Sequence, residues 1–437
     1  MQTHSTIHFM HDLQKLDKDL IWHPFTPQGE QTPEPILIEK AEGIYLYTQD
    51  GRKIIDAISS WWVNLHGHSN PHIAKAIYDQ ASTLEHVIFA GFTHNPAIQA
   101  AKNLHSILHP TFTKIFFSDN GSTANEVAIK MAIQYWHNKG IQKKKIVALK
   151  GAYHGDTFGS MSVGDRSLFT SPFTDYLFHV EFFEFPTAEK EEETITQFAQ
   201  LANSGDVGAF IFEPLIQGAA GMRIYSARIL DALLQIAKEK NILCIADEVF
   251  TGFYRTGNFL ATDALSIKPD IIALSKGITG GTMPMGVTAC TAEIYDAFKS
   301  DELIKAFLHG HSYTANPLSC AAANASFDLL MSESCQQQIK MISQSHTIFL
   351  QAVQNHSMVK TADSLGTILS IEVKSAGLTS YENNLRKFIY EYFLNQDILL
   401  RPLGNIIYIV PPYVITEMEL QRVYKAIESF LGLLKGR

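Results

Sequence analysis

The chain has 437 residues, of which 46% are hydrophobic, and a formal net charge of −9, which excludes a mainly disordered chain and a strongly basic nucleic-acid-binding protein. Its four cysteines, at positions 244, 290, 320 and 335, contain no CxxC pair, which excludes a zinc finger and argues against a disulfide scaffold. The first twenty residues lack the apolar stretch of a signal peptide and no later run is long enough to span a bilayer, so we predict a cytoplasmic protein of two or three domains.

The N-terminal region mixes turns with short extended pieces. Residues 27–35 are rich in turn formers, and residues 36–57 have the pattern of a meander of short strands. Asp50 and Gly51 supply the hairpin signal within that meander.

From about residue 70 onwards, short apolar runs alternate with segments of helical period. The predicted helices include residues 122–138 and the amphipathic segment 227–241. Such alternation predicts a mostly parallel sheet covered by helices on both faces. The predicted buried strands are residues 114–119, 145–150, 207–214, 242–248 and 270–276.

The C-terminal part begins with a long helix after Ala315, and further strands are predicted near residues 367–373 and 405–410. The fold class is therefore predicted to be α/β, with a large domain over residues 61–330. A smaller α+β domain is predicted to combine residues 1–60 with residues 331–437.

Several common functional motifs are absent. No GxGxxG follows a strand, and neither GxxxxGK[ST] nor HExxH occurs, so dinucleotide, P-loop and HExxH zinc chemistry lose their usual support. Three histidine pairs have spacings that could place two ligands on one face, but none has a third ligand nearby, so no metal site is predicted. These pairs are His66/His68, His105/His109 and His309/His311.

Two predicted strand ends carry the residues of greatest chemical interest. Asp247 ends one buried strand, and Lys276 follows the end of another. Ligands of open α/β sheets bind outside the carboxyl ends of the strands. A desolvated lysine there is a nucleophile suited to Schiff-base formation, and an aspartate could keep the pyridinium nitrogen of pyridoxal phosphate protonated. Taken alone, Asp247 is more simply interpreted as a helix cap or a member of an ion pair, and Lys276 as a residue of a surface loop.

Two loops could complete such a site. A Gly-Ser turn at Gly121 and Ser122 precedes a helix, whose free N–H groups could bind a phosphate. Thr123 and Glu126 have the spacing of a capping box at the start of that helix. Tyr153 follows a strand by a short loop, where its ring could stack on a planar cofactor. An ordinary capped helix and a core tyrosine remain the alternatives.

Taken together, three segments resemble the class III pyridoxal-phosphate aminotransferases of fold type I. They are DEVFTGFYRTG (247–257), the Ser-Lys-Gly turn around Lys276, and EPLIQG (213–218). The resemblance covers nearly the whole chain. It implies a large domain with a mostly parallel seven-stranded sheet, pyridoxal 5′-phosphate as cofactor, and a homodimer with active sites at the subunit interface.

Further segments are similar to one branch of this family, which acts in biotin biosynthesis. That branch transfers an amino group from S-adenosylmethionine to 8-amino-7-oxononanoate and forms 7,8-diaminononanoate. The N-terminal Trp-His-Pro and the tryptophan pair are the discriminating parts. The segments are WHPFT (22–26), SSWWVNLHGH (59–68), YHGDTFGSMSVGD (153–165), GITGGTMP (277–284), HGHSYTANPLSCAAANAS (309–326) and RPLGNIIYIVPPY (401–413).

The resemblance also implies residue roles. Lys276 would bond to the cofactor and then move the substrate proton, while Asp247 would pair with the ring nitrogen. Arg401 would hold the distal carboxylate of the acceptor, since its planar fork suits a carboxylate. Gly121 and Ser122 would bind the cofactor phosphate, which His311 and Ser312 would reach from the partner subunit, and Tyr153 would stack on the cofactor ring. The other implied substrate contacts are Trp61, Tyr153, Lys276 and Gly310.

Three positions depart from the family pattern. Phe25 stands where tyrosine is usual in the adenosylmethionine-using enzymes, and the missing hydroxyl leaves lysine open as the amino donor. Ser312 replaces the usual threonine and keeps the hydroxyl, and His311 replaces a common proline. Another ω-aminotransferase, an isomerase of this family and a non-catalytic relative are the remaining alternatives.

Overall fold

The computed structural model describes residues 13–30, 32–377, 379 and 381–435. Most of the N-terminal segment in which no signal peptide is expected lies outside these residues. Within them, no helix combines the length and the apolar character needed to cross a membrane.

A seven-stranded sheet with one reversed strand forms the centre of the protein, and it confirms the predicted α/β class and mostly parallel sheet. Gly286–Thr291 runs antiparallel to both of its neighbours, and the other adjacent pairs are parallel. In spatial order the strands are Phe112–Ser118, Gly286–Thr291, Ile271–Leu274, Leu243–Asp247, Val207–Phe212, Lys145–Leu149 and Glu181–Phe183.

Sequence analysis missed two of these seven strands for different reasons. Glu181–Phe183 has only three residues, which is too short for a period to be recognised. Gly286–Thr291 consists mostly of small and polar residues and follows a glycine-rich loop, so its apolar signal is weak.

The sheet separates two hydrophobic cores. Successive side chains of a strand point to opposite faces, and Val207–Phe212 shows the consequence. Phe210 and Phe212 pack into the larger core, whereas Ala209 and Ile211 pack into the smaller one. Helices cover both faces of this sheet, among them Asn95–Ile107, Gly121–Asn138, Glu191–Ala202 and Ala227–Glu239. Pro71–Ala81 and Pro317–Leu330 pack against each other, and Glu333–Val353, Leu385–Asn395 and Glu417–Lys435 contact the smaller sheets or one another.

The helix that follows the first strand of the large sheet begins at Gly121 and is capped differently from the prediction. Asn120 is the N-cap: its side chain accepts from the Thr123 N–H at 2.9 Å, and the Thr123 hydroxyl accepts from the Asn120 N–H at 3.0 Å. The predicted capping box of Thr123 with Glu126 is therefore wrong by one turn. Glu126 instead accepts from the N–H groups of Gly159 and Ser160.

The N-terminal meander pairs with the C-terminal part of the chain. The strands Ile38–Glu42, Tyr45–Thr48 and Lys53–Asp56 form a sheet that Ile398–Leu399 extends in parallel. The predicted turn lies between the last two strands of the meander, with Gly51 at a φ of 89°. A separate three-stranded sheet contains Val359–Leu365, Ile368–Val373 and Ile406–Ile409. The boundaries predicted for the smaller domain remain a prediction.

Candidate active site

A cavity of about 1030 Å³ opens at the carboxyl ends of the central strands. It brings together residues up to 383 positions apart in the chain, from Phe25 to Tyr408, as expected for a crevice at this edge of an α/β sheet. The predicted residues that line it are Trp61, Gly121, Ser122, Tyr153, Asp247, Lys276 and Arg401. Gly310, His311 and Ser312 are not among the lining residues of this cavity.

Asp247 ends the strand Leu243–Asp247 and is almost fully buried. Its Oδ2 accepts from His154 Nδ1 at 2.7 Å and from Asn125 Nδ2 at 2.8 Å, and its Oδ1 accepts from the Val249 N–H at 3.0 Å. The carboxylate is thereby held in one orientation towards the cavity. Sequence analysis missed His154 and Asn125, whose only signals are the Tyr-His-Gly-Asp segment and a place on the buried face of the helix after Gly121.

Lys276 follows the strand Ile271–Leu274 and has a φ of 47°. Left-handed backbone is uncommon for a residue with a side chain, and such residues cluster at active sites. Its Nζ lies 4.9 Å from the centre of the Trp62 ring and 5.7 Å from that of Phe250. Burial lowers the pKa of Lys276 to about 8, against the opposing effects of Asp247 and Glu213. The side chain is thus an amine that loses its proton near pH 8.

The turn at Gly121 and Ser122 packs closely against Val249 at the start of a helix. A side-chain carbon at Gly121 would lie 2.6 Å from Val249 Cγ1, so only glycine fits there. The capping box uses the N–H groups of Asn120 and Thr123, which leaves those of Gly121 and Ser122 outside it. Ser122 Oγ accepts from the Thr157 N–H at 3.0 Å and lies 2.8 Å from Thr157 Oγ1.

Tyr153 lies on the cavity wall with two carboxyl groups nearby. Its N–H donates to Glu213 Oε1 at 3.1 Å, and the Gly218 N–H donates to Glu213 Oε2 at 3.0 Å. Burial raises the pKa of Glu213 to about 7 and also raises the pKa of Asp156. Burial and the nearby Asp156 raise the pKa of the Tyr153 hydroxyl, which therefore stays protonated. Glu213 belongs to the EPLIQG segment, but its contact with Tyr153 was not predicted.

Aromatic rings form the outer wall of the cavity. Phe25 contacts Trp61 edge to face, with ring centres 5.4 Å apart, and Phe169 at 5.6 Å. The guanidinium carbon of Arg401 lies 4.8 Å from the centre of the Trp61 ring. Among the described residues Arg52 and Arg228 form ion pairs with carboxylates, whereas Arg401 forms none. Arg401 therefore presents an unneutralised cation to the cavity.

The segment containing Gly310, His311 and Ser312 lies beside the start of the helix that opens at Gly121. His311 Nδ1 is 3.8 Å from Asp119 Oδ2, and His311 Nε2 is buried without a hydrogen-bond partner. The neighbouring Tyr313 is 63% exposed. This segment thus approaches the site from outside and does not enter the cavity of its own chain.

Members of all three histidine pairs have structural contacts, and His109 Nδ1 is 3.0 Å from Thr111 Oγ1. His66 Nε2 is 3.0 Å from Ser326 Oγ, His68 Nε2 is 2.9 Å from Asp56 Oδ2, and His309 Nδ1 is 2.9 Å from Lys130 Nζ. In the part of the chain that the structure describes, no three His, Cys, Asp or Glu side chains are grouped as metal ligands.

A lysine amine and a fixed carboxylate at adjacent strand ends, beside a helix start that suits a phosphate, define a class of enzyme. The profile of the class-III aminotransferases matches residues 26–431, and the chain belongs to that family. It is 46% identical over 419 residues to an adenosylmethionine-8-amino-7-oxononanoate aminotransferase from Synechococcus elongatus, which covers 94% of this chain and 98% of the relative.

Solved structures show the same fold. An adenosylmethionine-8-amino-7-oxononanoate aminotransferase from Methanocaldococcus jannaschii has 36% identity and a TM-score of 0.89, covering 96% of this chain and 99% of the other. An amine transaminase from an uncultivated Pseudomonas species, solved in its PLP-bound form, has 27% identity and a TM-score of 0.87, covering 94% and 97% of the two chains.

Proposed function

We propose that this aminotransferase uses pyridoxal 5′-phosphate to transfer an amino group from S-adenosylmethionine to the ketone of 8-amino-7-oxononanoate. The products are 7,8-diaminononanoate and the keto form of the donor, as in biotin biosynthesis. The observation that carries this proposal is 46% identity over nearly the full length of both chains to a relative of that name.

The residues of the cavity fit the cofactor. The Gly121 site accepts no side chain, and the helix start leaves two N–H groups for a phosphate. Asp247 offers a carboxylate already fixed by three donors, which suits a protonated ring nitrogen. Pyridoxal phosphate supplies an electron sink for the carbon that loses its proton. Tyr153 lines the cavity, which supports its proposed stacking on the cofactor ring.

Lys276 carries the central role in the chemistry of the chain itself. Burial favours the neutral amine of Lys276, and a neutral amine is both a nucleophile and a base. With pyridoxal phosphate held in the cavity, Lys276 Nζ would take the proton from the reacting carbon of the donor and then release it, which leaves its own proton count unchanged. In the second half-reaction Nζ would move a proton in the reverse direction for the acceptor.

Arg401 and Trp61 are proposed to bind the acceptor. The unneutralised guanidinium suits the distal carboxylate, and the half-exposed Trp61 ring gives an apolar wall for the carbon chain. Phe25 presents no hydroxyl at the cavity mouth, so lysine remains the alternative amino donor.

The protein is proposed to act as a homodimer in which Gly310, His311 and Ser312 reach the site of the partner. Two features support this. These residues lie outside the cavity of their own chain, and the exposed Leu308 and Tyr313 beside them form an apolar surface suited to a second copy.

The test separates the two half-reactions. Purified protein with pyridoxal phosphate is mixed with S-adenosylmethionine or with lysine, without acceptor, and the visible absorbance of the cofactor is followed. Bleaching by S-adenosylmethionine alone supports the proposal, and bleaching by lysine alone moves the donor. Lys276→Ala should abolish bleaching by either donor. Turnover that survives this substitution, or failure of 7,8-diaminononanoate to form with either donor, would overturn the proposal.

A further inference from the structure

The two adjacent tryptophans at positions 61 and 62 face different parts of the candidate active site. The Trp62 ring lies 4.9 Å from Lys276 Nζ, and the Trp61 ring lies 4.8 Å from the guanidinium carbon of Arg401. One short piece of backbone therefore sets the aromatic surface beside the reactive amine and beside the cation at the far end of the cavity.

That piece of backbone has an unusual conformation. Ser59, Ser60 and Trp62 have φ values of 52°, 58° and 66°. Ser60 combines its positive φ with a ψ of −86°, and residues other than glycine are rarely found in this region of backbone conformation. A conformation of this kind persists only where neighbouring groups hold it.

Asp56 is the group that holds it. This residue ends the strand Lys53–Asp56 and is fully buried. Its Oδ2 accepts from the Ser60 N–H at 2.7 Å and from the Ser60 hydroxyl at 2.9 Å, and its Oδ1 accepts from the Ile58 N–H at 3.2 Å. Three bonds from one carboxylate thus determine the path of the chain into the tryptophan pair.

His68 completes the arrangement. Its Nε2 is 2.9 Å from Asp56 Oδ2, and its Nδ1 is 3.2 Å from the amide nitrogen of Asn64. Because the Asn64 amide donates to Nδ1, the proton of the neutral imidazole is on Nε2 and is donated to Asp56. On the other side Arg255 donates to Ser59 Oγ at 2.9 Å.

We propose that Asp56, oriented by His68, is a positioning residue for transamination. It holds Ser60 in its strained conformation, and thereby keeps Trp61 against Arg401 where the acceptor binds. This inference rests on the proposed function for the identity of the acceptor. Asp56 contacts neither Lys276 nor Arg401 directly, so its effect is on the affinity for the acceptor and not on the chemistry.

The matched pair Ser60→Ala and Ser60→Gly tests the proposal, because both remove the same hydroxyl. Alanine keeps the steric penalty of φ 58°, ψ −86°, whereas glycine removes it. Ser60→Ala should raise KM for 8-amino-7-oxononanoate about tenfold with kcat within about threefold, and Ser60→Gly should stay near the wild type.

Asp56→Asn should raise the same KM by more than Ser60→Ala does, and Ser60→Gly in that background should recover most of the loss. Asp50→Asn, in the hairpin of the same sheet, is the control and should leave KM unchanged. Equal KM values for the alanine and glycine variants, or a fall in kcat alone, would refute the proposal. If Asp56→Asn does not fold, the Ser60 pair still decides.

A readout without substrate distinguishes this inference from the proposed function. The near-ultraviolet circular dichroism of the tryptophans should change in Ser60→Ala and not in Ser60→Gly. If the wild type does not aminate 8-amino-7-oxononanoate but this difference is seen, the proposed substrate is wrong and the positioning of the tryptophan pair stands. If the two spectra are the same, the positioning role is wrong.

Discussion

Lys276 shows how strongly the surroundings of a single residue set its chemistry. Burial lowers its pKa to about 8, so the neutral amine increases as the pH rises towards that value and is constant well above it. When pyridoxal phosphate is added to protein stripped of cofactor, the visible absorbance should therefore return at a rate that depends on pH. Below pH 8 this rate should rise about tenfold for each pH unit, and above pH 8 it should be constant.

Glu213 supplies the control for that pH profile. Its negative charge favours the ammonium form of Lys276, so Glu213→Gln should move the midpoint of the profile to lower pH. The rates are measured by stopped-flow absorbance, and those of a free alkylamine correct for ionisation of the cofactor itself. A midpoint near the ordinary lysine pKa, or an upward shift in Glu213→Gln, would contradict the assigned electrostatics.

Substitution of Arg401 should affect the binding of only one substrate, 8-amino-7-oxononanoate. Loss of a charge-assisted hydrogen bond costs about 1.5–3 kcal/mol, so Arg401→Ala should raise KM for 8-amino-7-oxononanoate by roughly 10- to 150-fold. Arg401→Lys should be intermediate, because an ammonium keeps the charge without the planar fork. The donor half-reaction, followed by bleaching of the cofactor, should be unchanged. Equal losses in both half-reactions would place Arg401 elsewhere in the mechanism.

At the scale of the element, the helix Gly121–Asn138 owes its starting point to Asn120. Asn120→Ala removes the cap, which costs about 1 kcal/mol, and should weaken binding of pyridoxal phosphate about fivefold by loosening the phosphate site. Asn120→Ser keeps a capping oxygen and should bind normally. Titration of the apoprotein by absorbance gives both dissociation constants. Weakening by the serine variant to the same extent would show that the cap is not the cause.

At the scale of the whole molecule, two inactive variants test whether the active site is shared between the subunits of a homodimer. Lys276→Ala lacks the amine, and Ser312→Asp places a negative charge where a phosphate is proposed. If Ser312 serves the partner's site, each mixed dimer has one intact site, and random co-expression should restore about a quarter of the wild-type activity. If Ser312 serves its own chain, the mixture stays inactive. Light scattering on the same samples measures the number of subunits.

The local sequence pattern was enough to place the main chemical groups at strand ends. Asp247 and Lys276 were located because buried apolar strands and the turns after them are local features, readable over five to ten residues. The alternation of strands and helices likewise predicted a mostly parallel sheet, which the structure confirms. The strand Glu181–Phe183 was not predicted, because its three residues are too few for an alternating pattern to be recognised.

Contacts between distant segments required the folded chain. His154 and Asn125 reach Asp247 from 93 and 122 positions away, and Arg255 reaches Ser59 from 196 positions away. No local pattern encodes such meetings, because they depend on which strand ends become neighbours. The positive φ of Ser60 could not be predicted from local sequence either. It is held by the buried carboxylate of Asp56, which accepts from the N–H and the hydroxyl of Ser60.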